Sequence, residues 1–334
     1  MKSLLSPAEL LRLRSDPAAS EAHSPLFGAG LLGVDLDAAA PAAAHDPDAW
    51  GWLAELPAVS GGVRRGGVAP GASALAAALD VIAASDGELA AIEASCARAP
   101  LAALVLAQLL RLSEARSIAD GLLAESLAYS SLQAGPEFAA WCAGRSAKPR
   151  EPRREPAVRV TRAGPELQLV LDRPAKRNAF SAEMRDALCE ALALAIQDES
   201  IARVTLSGAG PSFCSGGDLD EFGTLPDPAT AHAIRATRNA AGLLARVGER
   251  VEARVHGACV GAGAELPAFC RRVVAGRDAF FQLPELGMGL VPGAGGTVSL
   301  PRRIGRQRTA WLALTRAKLD AETALAWRLA DELR

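Results

Sequence analysis

Two segments rich in small residues constrain the fold of this chain more than any other feature. They read GAGPSFCSGGDL (208–219) and HGACVGAGAEL (256–266), and each follows a stretch with the pattern of a β-strand. Predicted strands alternate with predicted helices around them, which is typical of a layered α/β fold with crossover connections. Small residues at the end of a strand also let a ligand oxygen reach unpaired backbone N–H groups. We therefore predict an α/β fold in which two neighbouring loops share a ligand.

Composition excludes several classes of function. The chain has 334 residues, half of them hydrophobic, and a net charge of −2, so neither nucleic acid nor an acidic membrane is a predicted partner. No run of 18 apolar residues is present. The six cysteines are dispersed without a C-x-x-C pair, which favours a reduced, cytoplasmic protein with no metal site and no disulfide framework.

The sequence divides at a segment rich in proline and charge. We predict a mostly helical domain over 1–143, a linker over 144–157 and a second domain over 158–334. In the first part, Ser6 with Glu9 and Ser85 with Glu88 have the spacing of capping boxes, and Asp46 is a predicted cap for a short helix. The glycine-rich stretch 57–71 is predicted to be a loop. No residue in 1–143 suggests chemistry beyond packing.

The second part carries the alternating pattern. We predict a β-hairpin in VRVTRAGPELQLVL, a helix over 181–197 capped by Ser181, and strands in ARVTLSG, VEARVHG and RRVVAG. Further helices are predicted after Asp227-Pro228, after the second loop and near the C-terminal end.

Two loops that each aim one N–H at the same oxygen would stabilise an oxyanion, and loss of one such donor typically costs about 3–4 kcal/mol. A dinucleotide-binding loop is the main alternative, but GACVGAG does not fit G-x-G-x-x-G. Close packing of a strand on a helix would explain either loop singly. It explains less well why an acid follows both.

Four segments together resemble the crotonase (enoyl-CoA hydratase/isomerase) superfamily. They are RPAKRNAFSAEM, SFCSGGDL, HGACVGAGAEL and FFQLPELGMGLVPGAGGTVSLPRRIG, in the family's order. The resemblance begins near residue 158 and extends to the end of the chain. It implies a crotonase-like layered β/α (ββα) fold and an acyl-CoA thioester as substrate.

The resemblance also implies catalytic roles. Gly217 and Ala262 correspond to the residues whose N–H groups form the oxyanion hole. Glu265 would activate water, and Glu285 would deliver a proton to the α-carbon. From the residues alone, the less favoured alternatives are a solvent-exposed acid in a first helical turn for Glu265 and a turn acid after Pro284 for Glu285.

Other positions match the family's substrate contacts. Lys176, Arg177 and Ala179 fall where the family's loop wraps the CoA nucleotide, although Lys176 and Arg177 fit ordinary surface charges as well. Further substrate positions implied by the resemblance are Ser215, Gly216, Asp218, Gly261 and Gly293. No cofactor is expected beyond the CoA of the substrate, and a homo-oligomer, a trimer or hexamer, is implied.

The sequence departs from the family at three points. Arg271 and Arg272 follow Cys270 where an Asp is usual, Pro267 lies early in a predicted helix, and the chain stops before the family's closing helices. We expect the N-terminal helices to cover the site instead. An enoyl-CoA hydratase is the favoured function. Isomerase, hydrolase or oxygenase chemistry and a non-catalytic CoA-binding or assembly role stay open, and the acyl group is not predicted.

Overall fold

A computed structural model describes residues 4–28, 30–66, 69, 71–145 and 155–334. Its α-helices are Pro7–Leu13, Ala19–His23, Ser73–Ala78, Asp86–Arg98, Pro100–Ser113, Ile118–Gln133, Pro136–Ala143, Ala182–Gln197, Pro228–Thr237, Ala240–Val247, Ala262–Glu265, Gly296–Ile304, Arg306–Thr315 and Ala321–Trp327. Short 3₁₀ segments are Ala42–His45, Pro47–Ala54, Pro174–Lys176, Gly248–Arg250, Pro267–Phe269 and Glu285–Met288. The predicted caps Ser6, Asp46, Ser85 and Ser181 each accept a backbone N–H at the start of a helix.

A six-stranded sheet forms the centre of the second part. Its order is Glu332–Leu333, Arg272–Ala275, Val251–Val255, Arg203–Gly208, Glu166–Leu171, Val158–Ala163. Only the last two strands pair antiparallel, as the predicted hairpin, and the other pairs are parallel. Helical segments connect the parallel strands, so the predicted α/β fold with crossover connections is confirmed.

A second, smaller sheet brings the two small-residue loops together. Its strands are Leu319–Asp320, Phe280–Gln282 and Ala258–Val260. Cys214 of the first loop pairs in parallel with Cys259 of this sheet. The Cys214 N–H donates to the Ala258 carbonyl at 3.1 Å, and the Val260 N–H donates to the Cys214 carbonyl at 3.0 Å. The two loops therefore leave one ladder side by side.

The N-terminal part contains a sheet that the sequence analysis missed. Strands Leu31–Asp35, Val59–Val63 and Val81–Ala83 pair in parallel. The prediction of a loop over 57–71 is therefore wrong for Val59–Val63. Added side chains at Gly61 and Gly62 would meet leucine side chains of neighbouring elements at 3.1 and 2.7 Å. Close packing in a buried strand, not a turn, explains these glycines.

The N-terminal helices pack directly on the second part. One continuous core contains residues of both parts, including Leu106, Leu122, Leu300 and Leu312. A side-chain carbon at Gly121 would lie 2.9 Å from Val298, so helix Ile118–Gln133 approaches helix Gly296–Ile304 closely.

A buried acid also joins the two parts. Asp80 is 2% exposed and accepts from Arg111 at 2.6 Å and from Arg306 at 3.1 Å. The N–H and hydroxyl of Ser60 complete its partners, each at 2.8 Å. The predicted linker lies mostly outside the described residues, and the domain boundaries stay a prediction.

No single helix in the described ranges is long and apolar enough to cross a membrane. One bent pair, Asp86–Arg98 with Pro100–Ser113, meets the length and composition criteria only when taken together.

Candidate active site

The two small-residue loops present matched backbone donors. Gly217 lies three residues after Cys214, and Ala262 lies three residues after its pairing partner Cys259. Neither the Gly217 N–H nor the Ala262 N–H donates to another of the described residues. Two such donors on loops that leave the same ladder have the form of an oxyanion hole.

Backbone conformation explains why small residues are needed here. Gly216 has φ +90° and Gly261 has φ +50°, both in the left-handed region that favours glycine. A side chain at Gly261 would also approach the Glu285 carboxyl to 2.5 Å. After this turn the predicted helix is short. It spans Ala262–Glu265 and continues as the 3₁₀ segment Pro267–Phe269, because proline at 267 cannot donate to an earlier carbonyl.

A cavity of about 220 Å³ is lined by residues of both loops. Gly217, Ala262, Glu265, Glu285 and Gly293 all line it, so the structure brings together the four predicted catalytic residues and one predicted substrate contact. The other predicted contacts lie on the surrounding loops.

Glu265 is a buried carboxylate with defined donors. It is 2% exposed, so the alternative of a solvent-exposed helix acid is wrong. Its Oε2 accepts the N–H of Ala294 at 2.7 Å and of Gly296 at 2.8 Å. Burial and the nearby carboxyls of Glu285 and Glu125 raise the pKa of Glu265, whereas these two hydrogen bonds favour its charged form.

Glu285 has a different environment. It begins the 3₁₀ segment Glu285–Met288 and is 8% exposed. Its Oε2 is buried and has no partner among the described residues. Burial raises the pKa of Glu285 to about 8, so the carboxyl is mostly protonated at neutral pH. Both carboxyls have a raised pKa, and they differ in their hydrogen bonds: Glu265 accepts two backbone N–H groups, whereas the buried Oε2 of Glu285 accepts none from the described residues.

The N-terminal part contributes side chains that the sequence analysis did not predict. Helix Ile118–Gln133, here named the cavity helix, lines the cavity with Leu122, Glu125, Ser126, Tyr129 and Gln133. Residues 122, 125, 129 and 132 are buried at helical spacing, so a charged residue at 125 occupies a core-facing position. This charged residue among buried apolar positions was the sequence signal that could have identified Glu125.

Arg235 faces the cavity helix from helix Pro228–Thr237 and also lines the cavity. Its guanidinium donates to the Gln133 amide oxygen at 3.1 Å and to the Ser126 carbonyl at 3.2 Å. It lies 4.7 Å from the centre of the Tyr129 ring. These contacts fix one wall of the cavity to the N-terminal part.

The predicted CoA loop is built around an ion pair. The Lys176 ammonium lies 2.8 Å from Asp218 and 3.1 Å from Asp220, which raises the pKa of Lys176. Arg177 has φ +52°, and its carbonyl accepts the Ser215 N–H at 3.0 Å. The loop of Lys176, Arg177 and Ala179 therefore lies against the first oxyanion loop, outside the cavity lining.

The described residues contain no group of three or more His, Cys, Asp or Glu side chains placed to hold a metal ion.

Comparison with known proteins identifies the family. A family model described as Enoyl-CoA hydratase/isomerase matches residues 167–333, half of the chain. The 1,2-epoxyphenylacetyl-CoA isomerase of Escherichia coli (strain K12) is 37% identical over 165 residues, which cover 48% of this chain and 63% of that protein. The 2,3-dehydroadipyl-CoA hydratase of the same strain is 36% identical over 165 residues, 49% of this chain and 64% of that protein.

Among solved structures, a putative enoyl-CoA hydratase from Thermobifida fusca YX in complex with acetoacetyl-CoA aligns with a TM-score of 0.50 and 28% identity. The alignment covers 53% of this chain and 73% of that one. The chain belongs to the enoyl-CoA hydratase/isomerase family of the crotonase superfamily, and the predicted fold class is confirmed. It spans a little under two thirds of the length of the two curated relatives.

Proposed function

We propose that this protein is an acyl-CoA enzyme that adds water to a 2-enoyl-CoA thioester. One observation carries the proposal. Gly217 and Ala262, whose N–H groups have no partner among the described residues, line the same cavity as the two buried carboxyls of Glu265 and Glu285. Hydration of a conjugated thioester needs a stabilised enolate oxygen, a base for water and an acid for the α-carbon, and these four residues are proposed to fill the three roles.

The proposed step uses the two acids in different protonation states. The N–H groups of Gly217 and Ala262 bind the thioester oxygen as the double bond accepts electrons. The Glu265 carboxylate takes a proton from water while the water oxygen bonds to the β-carbon. The Glu285 carboxyl gives its proton to the α-carbon. After this step Glu265 is protonated and Glu285 is ionised. Transfer of a proton from Glu265 to Glu285 restores the starting state.

Isomerisation is the second candidate, because one relative at 37% identity is an isomerase. In that reaction one acid would remove and return a proton without adding water. Hydration is favoured because Glu265 and Glu285 both line the cavity and, of these two, Glu265 accepts two backbone N–H groups.

The substrate is proposed to carry a short or polar acyl group. The part of the lining contributed by the cavity helix and by helix Pro228–Thr237 includes the polar residues Glu125, Ser126, Gln133 and Arg235, which offer partners to a polar acyl group and none to a long alkyl chain. CoA is the proposed carrier, as in the Thermobifida fusca complex with acetoacetyl-CoA. A cytoplasmic location and a homo-oligomeric state are also proposed, the latter from the family resemblance alone.

The test follows the absorbance of the conjugated thioester. Crotonyl-CoA, 2-hexenoyl-CoA and 2,3-dehydroadipyl-CoA are each supplied, with products identified by mass. Gain of the mass of water, fastest with 2,3-dehydroadipyl-CoA, is expected. Loss of conjugation without a mass change would favour isomerisation. CoA binding with no turnover of any thioester would favour the non-catalytic alternative.

A further inference from the structure

We infer that Glu125, on the cavity helix, is a positioning residue that holds the loop on which Glu265 depends and sets the charge around both catalytic acids. The inference rests on the proposed function. It concerns a residue outside the part of the chain that matches the family model, residues 167–333.

The geometry of one loop carries the inference. The four N–H groups of residues 294–297 alternate between two carboxylates. The even-numbered pair donates to Glu265 at 2.7 and 2.8 Å. The odd-numbered pair donates to Glu125 at 2.7 and 2.9 Å, and the Thr297 hydroxyl adds a bond of 2.7 Å to Glu125. Each peptide that orients Glu265 therefore adjoins a peptide held by Glu125.

The position of this loop explains why both acceptors are needed. Residues 294–297 lead into helix Gly296–Ile304, whose first N–H groups have no partner within the helix. Gly295 and Thr297, whose N–H groups donate to Glu125, are buried. A carboxylate is a favourable acceptor at a helix N-terminus. Without Glu125, two buried donors would lose their partner and the loop could move away from Glu265.

Glu125 also contributes charge. The facing ionisable groups are Glu265, Glu285, Arg235 and, on the cavity helix itself, Tyr129, with Arg185, Arg238 and Glu221 farther along the cavity lining. On helix Gly296–Ile304, Arg302 donates to the carbonyls of Val298 and Arg116.

Burial raises the pKa of Glu125 to about 7, although its three hydrogen bonds favour the carboxylate. It is therefore charged over the alkaline range in which Glu285 titrates. The Glu125 charge raises the pKa of both Glu265 and Glu285.

A merely structural clamp is the competing explanation, and the chain offers a matched control. Glu137, also in the N-terminal part, accepts the N–H groups of Leu101 and Ala102 at 2.7 and 3.1 Å, at the start of helix Pro100–Ser113. It does not line the cavity. Glu137→Gln therefore removes the same kind of interaction from a different helix.

The experiment compares Glu125→Gln, Glu125→Asp and Glu137→Gln in the full chain. Glu125→Gln should lower kcat roughly 10²-fold with little change in KM, since misplacement of a catalytic group has effects of that size. Its alkaline limb of kcat/KM should move to lower pH, because loss of the neighbouring charge lowers the pKa of Glu285. Glu125→Asp keeps the charge, so its limb should stay in place while kcat falls. Glu137→Gln should change neither.

A second measurement does not need turnover. The Glu285 carboxyl carbon, assigned by its loss in Glu285→Gln, is titrated by ¹³C NMR in the wild type and in Glu125→Gln. A lower pKa in Glu125→Gln is expected even if no thioester reacts, in which case the proposed function fails while the effect of the Glu125 charge on Glu285 stands. Unchanged titration, with Glu125→Gln and Glu137→Gln equal in activity and stability, would overturn it.

Discussion

Residues 167–333 and the N-terminal part, residues 4–145, differ in how far their sequence motifs indicate their function. The first region carries its chemistry in recognisable order, in two small-residue loops with Glu265 and Glu285. The second has no motif and a composition typical of packing. Yet both line the same cavity, and the cavity helix places Glu125 and Tyr129 beside the family's acids.

The contrast teaches that a site can be identified in one region and completed in another. The oxyanion loops need backbone donors at fixed spacing, so their sequence is restricted over many consecutive residues. A supporting acid such as Glu125 needs one position on a buried helical face, and its neighbours remain ordinary core residues.

The largest expected effect comes from separating the two regions. Residues 155–334 expressed alone should be aggregated or unfolded, because the shared core would leave apolar side chains of helix Gly296–Ile304 and its neighbours exposed. Solubility and circular dichroism melting, with the full chain as control, measure this. A soluble fragment with a cooperative melt would show that residues 155–334 fold independently of the N-terminal part.

The next effect tests the chemistry assigned to residues 167–333. Glu265→Gln and Glu285→Gln should each lower kcat by roughly 10²–10⁴-fold, the usual effect of losing general acid–base catalysis. The double variant should lose much less than the product, because acids that act on one reaction fail as a unit. Isomerase chemistry would instead make one substitution severe and the other mild.

Exchange of the α-proton in deuterated water, followed by NMR, separates the enolate step from hydration in these variants. If both single variants keep wild-type exchange and turnover, neither carboxyl is catalytic. Residues 167–333 would then not hold the catalytic acids, and the N-terminal part would not support them.

A smaller effect concerns stability against pH. The pKa of Glu285 is about 8 in the folded protein against 4.5 as its ordinary value, so between these values the folded state binds more protons than the unfolded state. Stability from this group is complete below about pH 4.5 and is lost as pH rises through 8, on the order of 1.4 kcal/mol per pKa unit.

The Gln side chain of Glu285→Gln does not titrate. Its Tm should therefore fall less than that of the wild type between about pH 5 and about pH 9, a range that spans most of the interval between the two pKa values. Scanning calorimetry across that range gives the comparison, with Glu137→Gln as a control that should follow the wild type. Parallel curves for Glu285→Gln and the wild type would mean that Glu285 is ionised in the folded protein.

The smallest expected effect lies at the CoA loop. The double substitution K176A/R177A should weaken CoA binding while leaving the fold intact, with the loss confined to the nucleotide half of the ligand. Calorimetry with CoA and with pantetheine distinguishes the two halves. Unchanged affinity would place phosphate recognition elsewhere, though Arg302, Arg303 and Arg306 already bind protein oxygens.

Much of the fold was predictable because its signals are local. Ser181 caps Ala182–Gln197, and the strands around the two loops alternate with helices in the expected order. The strand Val59–Val63 was missed because glycine in a buried strand and glycine in a loop look alike in sequence. The contacts of Glu125 with residues 295 and 297 were missed for another reason: they join positions 170 and 172 residues apart.

Asp80 helps to hold the two regions together by ion pairs. This buried carboxylate accepts from Arg111 of its own region and from Arg306 of the other, beside a core that both regions share. Such an interface does not depend on a covalent connection. A backbone cut within residues 146–154 should therefore leave a nicked protein whose two polypeptides remain associated, and the pieces, inert when made apart, should complement each other when produced together.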